Sequence, residues 1–177
     1  MKKIVFFNLV ILLIIGSCSQ NNESKAQLDE AINKRNLEIQ NKAIAQKIFD
    51  GLNQRDTSHI ELYSPDCKYY FPSASTIPTS REDDINATKN NWQVIPDIRF
   101  KIEEIIAEGN MVAGRFTVMG TPKEEWLGVP HSGKKFESGG ILIMKIENGK
   151  IIEQWEDVDL LGTMMQLGME LKPSDKK

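Results

Sequence analysis

Asp159 is the residue of this 177-residue chain whose setting best suits proton chemistry. It lies between Val158 and Leu160, and its nearest basic neighbours along the chain are Lys150 and Lys172. An apolar neighbourhood penalises the charged carboxylate, raises its pKa and poises it for proton transfer. Asp is also a preferred helix N-cap, so the same residue could instead simply start the helix that follows. Trp155, four residues earlier, would share a strand face with Asp159, and Asp157 has the same parity. Two inward acids would each raise the other's pKa. A bulge near the strand end would instead send Asp157 to solvent, where most acids lie. His59 and His131 are the only histidines and lack ligand spacing, so no metal site is expected. His131, in the loop 128–133, sits either at a pocket mouth or in solvent.

These groups depend on a strand that runs straight into a helix. Residues 150–158 alternate apolar and polar, and Leu160, Leu161, Met164, Met165 and Leu167 continue with helical spacing. Residues 98–107, 111–119 and 135–146 are three further strands rich in β-branched and aromatic side chains. Gly109-Asn110 and Asn148-Gly149 mark tight hairpins, and Gly139-Gly140 predicts a bulge or sharp bend in a curling sheet. Trp126, among charges in the loop before the third of these strands, reads as a lid, a dimer contact or a cover for the sheet edge. Alternation sets Arg115 opposite the core face of Phe116, towards solvent or a dimer interface rather than a ligand.

The first half is helical. Residues 27–50 contain no Gly or Pro. Leu28, Ile32, Ile39 and Ala43, then Ile44, Ile48 and Leu52, recur at steps of four or seven, which predicts a long amphipathic helix stopped near Gly51. A helical turn over 58–63 and a short strand over 67–71, closed by Pro72, follow. Ser80 can cap a second helix whose Glu82 and Asp83 sit at the positive end of its dipole. That helix would turn Ile85, Ala87 or Thr88, and Trp92 inward and end before Pro96. Helices first and a bent antiparallel sheet afterwards make an α+β arrangement in a single domain over residues 27–172.

The N-terminus has a different character. Lys2 and Lys3 precede an apolar run over 4–15, and Ile15-Gly16-Ser17 puts small residues before Cys18. A run of about a dozen residues containing Asn8 is short for a membrane span, which needs ~20. The segment resembles a bacterial lipoprotein signal peptide over 1–17. That resemblance implies lipid on the Cys18 thiol, a polar tether over 18–26 and attachment of the chain to a membrane in the cell envelope. Removing residues 1–17 takes away Lys2 and Lys3 and no acid, which moves the formal charge from −3 to −5. No basic run remains to favour nucleic acid or an anionic bilayer, and residues 173–177 form a polar tail. With Cys18 acylated, Cys67 has no disulfide partner and reads as a small buried apolar residue.

Trp155, Asp159, Gly162 and Gln166-Leu167-Gly168, at their spacing, resemble the C-terminal signature of the SnoaL-like polyketide cyclases, also called ester cyclases, within the NTF2-like superfamily. Pro96-Asp97, Ala107-Glu108-Gly109-Asn110, Gly120-Thr121, Gly128-Val129-Pro130 and Gly149-Lys150-Ile151 extend the likeness over about residues 41–171. The resemblance implies an NTF2-like cone, a curved antiparallel sheet and about three helices enclosing a pocket, with a homodimer as the expected assembly. It also implies cofactor-independent acid/base chemistry on a small apolar carbonyl compound, an intramolecular aldol closure in which Asp159 moves the proton. Trp155, Tyr70, His131 and Gln166 are the binding residues expected beside it. Two departures stand out. Pro122 follows Gly120-Thr121 where cyclases have His, and Tyr70 stands near where many have another. A lipid-anchored protein that binds an apolar ligand without turnover, or a structural lipoprotein, is therefore the competing reading.

Overall fold

The computed structural model describes residues 2–172, with side chains described for residues 23–172. Cys18 and the expected polar tail thus fall outside the described side chains. In chain order the elements are α1 (Lys2–Gln54), a 3-10 turn (Thr57–Leu62), β1 (Tyr63–Tyr70), α2 (Arg81–Val94), β2 (Arg99–Glu108), β3 (Met111–Gly120), β4 (Phe136–Glu147), β5 (Lys150–Val158) and α3 (Leu160–Leu167). α1 runs through residues expected to form a tether. The chain divides into two compact units, Met1–Leu37 and Glu38–Lys177. The first is helical, with Leu28, Ile32 and Leu37 exposed.

The second unit is the α+β fold. Its curved sheet has the order β1-β5-β4-β3-β2. β2 through β5 form antiparallel pairs, as the two hairpin signals require, while β1 adds to β5 in parallel, a departure from the all-antiparallel expectation. A parallel pair needs a long crossover, and here everything from α2 to β4 lies between the two strands. β1 also starts at Tyr63, earlier than the run over 67–71 predicts.

One face of the sheet carries the core. Val112, Phe116 and Val118 of β3 and Phe136, Leu142, Met144 and Ile146 of β4 are buried, and Ala45, Ile48 and Phe49 of α1 pack on them. The Phe49 ring meets Phe116 at 5.4 Å and Phe100 at 6.3 Å. Side-chain amides anchor this part of α1 to the sheet at both ends. Asn41 Nδ2 donates to Gly109 O at 3.0 Å, and Asn53 exchanges two 2.8 Å bonds with the Phe100 backbone. Satisfying these groups is what allows Asn41 to be buried.

Several glycines serve packing. The β3–β4 register runs unbroken through Gly139 and Gly140, so the bulge expected there does not form. Gly140 instead leaves room for the Phe116 ring, onto which a Cβ would project. Gly51 lies inside α1, not at its stop, and a Cβ there would meet His59 Cβ at 2.6 Å. Gly120 makes way for Ile95, and beside it the Asp97 carboxylate accepts from Thr121 N–H at 2.7 Å and Thr121 Oγ1 at 2.9 Å.

The actual register shifts lie elsewhere, between Ile102 and Glu104 of β2, on β5 between Ile151 and Glu153, and between Tyr63 and Lys68 of β1. The one on β5 decides the site.

Candidate active site

A cavity of about 560 Å³ lies between the core face of the sheet, α2, the C-terminal part of α1 and the β3–β4 loop. Its walls are largely apolar, with Phe49, Phe71, Phe100, Phe116, Leu142 and Met144 among them. Polar groups enter from three main elements, with His59 of the 3-10 turn and Glu125 of the β3–β4 loop beside them. β5 contributes Gln154 and Glu156, β1 contributes Tyr63 and Tyr69, and α2 contributes Asp84, Thr88 and Asn91, spaced so that one helix face meets the cavity. Trp126 closes one side. It stacks on Phe136 at 5.0 Å, and its Nε1–H donates to Asn91 Oδ1 at 3.0 Å. Trp126 is thus part of the cavity wall.

Gln154, Glu156 and the two tyrosines form one hydrogen-bonded chain. Tyr63 OH donates to Gln154 Oε1 at 3.0 Å, Gln154 Nε2 donates to Glu156 Oε2 at 2.9 Å, and Tyr69 OH approaches the same oxygen at 3.3 Å. Burial pushes the Glu156 carboxyl from an ordinary 4.5 to about 7, helped by the nearby Asp84 charge and opposed by the Gln154 and Tyr69 donors. Burial also lifts Asp84 from 3.8 to about 6. Both phenols are held well above their usual pKa, chiefly by burial, so they stay protonated donors. Glu156 can therefore both take and release a proton near neutral pH.

The residues expected from the sequence lie outside this cavity lining. Asp159 is exposed and caps α3, its Oδ1 accepting from Gly162 N–H at 2.8 Å. Trp155 does share a face with Asp157, but it is the outer face, where the Trp155 ring stacks on Tyr70 at 6.0 Å. Asp157 accepts from Ser73 N–H at 3.0 Å and from Ser73 Oγ, which lowers its pKa. His131 Nδ1 donates to Pro122 O at 2.9 Å in an exposed loop. Gln166 exchanges two 2.9 Å bonds with the backbone of Glu137.

The signature at the C-terminus is, in this structure, a device for docking α3. Asp159 caps the helix, and a Cβ on residue 162 would strike the capping carboxylate. Gln166 ties the helix to β4, Leu167 enters the core, and Gly168 closes the helix at φ 112°. Arg115 is exposed on the outer face beside Glu104 at 3.4 Å, as alternation predicts. Cys67 is half-buried, and burial raises its thiol pKa to about 11. Among the described residues no group of three or more His, Cys, Asp or Glu is placed to hold a metal ion.

His59, Tyr63, Tyr69, Asp84, Gln154 and Glu156 went unselected in the sequence. The available signal was the spacing of Asp84, Thr88 and Asn91 on one face of α2.

The geometry has relatives among solved structures. AclR, a "putative hydroxylase" from Streptomyces galilaeus, is 25% identical with a TM-score of 0.67, over 74% of this chain and 97% of its own. IdmH, a "putative polyketide cyclase" from Streptomyces antibioticus, is 24% identical with a TM-score of 0.65, over 73% and 99%. A SnoaL-like polyketide cyclase from Agrobacterium tumefaciens is 20% identical with a TM-score of 0.62, over 72% and 98%. No curated protein sequence matches the chain significantly. The family model for SnoaL-like polyketide cyclases matches residues 42–167, which takes in all five strands and Tyr63, Tyr69, Asp84, Gln154 and Glu156 of the cavity. The chain belongs to the SnoaL-like polyketide cyclase family, with its NTF2-like fold.

Proposed function

We propose that the protein is a cyclase-type enzyme that performs acid/base chemistry on a small, largely apolar carbonyl compound, with Glu156 as the group that moves the proton. The observation that carries this reading is a carboxyl with a pKa of about 7 inside an apolar cavity, oriented by Gln154 and Tyr69. As carboxylate, Glu156 removes a proton from the carbon next to a carbonyl. The enolate carbon attacks a second carbonyl of the same molecule, one C–C bond forms, and Glu156 returns the proton to the new alkoxide. The sum is an isomerisation that needs no oxidant or cofactor. The cavity contributes by folding one flexible substrate into a reactive shape. Asp159, the residue the family resemblance favours, holds α3 against the cavity rim formed by Val158 and Leu160.

The test is deuterium exchange at the methyl group of 2-acetonaphthone in heavy water, followed by proton NMR. The protein should accelerate exchange, Glu156→Gln should abolish the acceleration, and Asp159→Asn should retain it. Equal loss in both variants would overturn the assignment to Glu156.

We further propose that the chain is lipid-anchored through Cys18 in the cell envelope, on the strength of the apolar run and small residues before that cysteine. Cys18→Ser should move the protein from the membrane to the soluble fraction. A homodimer through the outer sheet face is also proposed. The register aligns Tyr70, Trp155, Ile143, Ala113 and Ile106 in one row across the strands, and Ile143 and Ile106 are exposed. Light scattering should show Ile143→Glu as a monomer if this row is the interface.

A further inference from the structure

The carboxylates lining the cavity, Asp83, Asp84, Glu125 and Glu156, have no lysine or arginine beside them in that lining, and His59 is its single imidazole. Asp83 is engaged in capping α2, where it accepts from Ser80 Oγ at 2.6 Å. The Asp84 carboxyl has no hydrogen-bond partner among the described residues. Arg81, one helical turn before Asp84 on α2, is engaged elsewhere, with Nη2 donating to Ile60 O at 3.0 Å and lying 3.4 Å from Glu61. Arg81 and Asp84 both border a second, small cavity with Cys67, Tyr63 and Tyr69, yet the guanidinium makes no ion pair with Asp84 and is held by Ile60 O and Glu61 instead. Acids withdrawn from solvent are ordinarily paired with a cation, and among the described residues neither Asp84 nor Glu156, both half-buried, has an ion-pair partner.

We infer that the cavity accepts a ligand bearing a basic nitrogen on an apolar body, with its ammonium group between Asp84 and Glu156. The ammonium supplies the missing counter-charge, donates to both carboxylates and lies beside the faces of Tyr63 and Tyr69. The hydrocarbon part fills the space lined by Phe49, Phe100 and Phe116. An anion of the same shape is repelled by like charge at short range in a low-dielectric wall. The inference shares with the proposed function only the premise that this cavity is the ligand site.

Binding of such a cation stabilises the ionised acids and so releases protons near neutral pH. The groups facing the pair are Tyr63, Cys67 and Tyr69 from β1, Arg81 and Asp83 from α2, His59 from the 3-10 turn and Glu125 from the β3–β4 loop, while Asp157, on the outer face of β5, adds like charge from behind. The phenols and the thiol stay neutral, which leaves Asp84 and Glu156 as the pair that a ligand cation would deprotonate.

The test is calorimetric titration of the full chain with 4-phenylbutylamine, 4-phenylbutanol and 4-phenylbutyrate, which share one apolar body. At about pH 8 the amine should bind about tenfold tighter than the alcohol, and the carboxylate weakest. At about pH 5, where both acids are protonated, the advantage of the amine should shrink. Asp84→Asn and Glu156→Gln, singly and together, should reduce the ratio of amine to alcohol affinity, with circular dichroism reporting that each variant folds. An alcohol that binds as tightly as the amine, or an advantage that survives in both single variants, overturns the inference and leaves the carbonyl reading standing. Absence of binding by all three overturns the inference together with the premise that this cavity is a ligand site.

Discussion

Gln154 and Glu156 are neighbours on one face of β5, and the amide of the first donates to the carboxyl of the second at 2.9 Å. Tyr63 fixes that amide from its other end at 3.0 Å, so the orientation of Glu156 is inherited from β1. A donor to the charged form lowers a carboxyl pKa. Gln154→Met, which keeps the volume and removes the donor, should therefore move the Glu156 midpoint above about 7. Carboxyl carbon shifts through a pH series would measure it.

Stability should depend on pH in a definite direction. Glu156 and Asp84 are raised in the fold to about 7 and about 6, from ordinary values of 4.5 and 3.8. The folded state therefore holds protons that the unfolded chain has lost, and this contribution is complete below about pH 4 and vanishes as pH rises through about 7. Urea midpoints should fall between those limits. Glu156→Gln should flatten the profile and gain on the order of 2 kcal/mol near pH 8.

Asp159 separates cap from catalyst by chemistry alone. Asn caps a helix about as well as Asp, and Ala does not. Asp159→Asn should leave thermal stability nearly unchanged, while Asp159→Ala should cost about 1 kcal/mol. Neither should move the Glu156 midpoint, because the Asp159 carboxyl lies outside the cavity.

Gly140→Ala should be destabilising by about 1–3 kcal/mol, because its new Cβ would project onto the buried Phe116 ring. Since Phe116 also lines the cavity, the same variant should reduce binding of apolar ligands, measurable by calorimetry beside a denaturation curve.

The fold was legible because hairpin dipeptides and alternation are local signals. Asn148-Gly149 lies between β4 and β5, Asn110 follows the positive-φ Gly109 between β2 and β3, and Ser80 caps α2 as its sequence suggests. The face of Trp155 was not legible. Counting from the second hairpin, Ile146 pairs with Ile151, and unbroken alternation would then set Trp155 opposite Leu142 on the core face. The one-residue shift between Ile151 and Glu153 pairs Lys145 with Glu153 instead, so Glu156 faces Leu142 and Trp155 turns outward. A slip of one residue exchanges the two faces of a strand, and nothing in the sequence Ile151-Ile152-Glu153 announces it. The acids were hidden for a related reason. On α2 the face that meets the cavity is polar, so a search for apolar stripes passes over it.

The most direct measurement is a carboxyl NMR titration of the full chain, with Glu156→Gln and Asp84→Asn as assignment controls. Midpoints near 7 for Glu156 and near 6 for Asp84 are the predicted result. Midpoints near 4 for both, the ordinary value of solvated carboxyls, would contradict a poised acid in the cavity and the chemistry assigned to it.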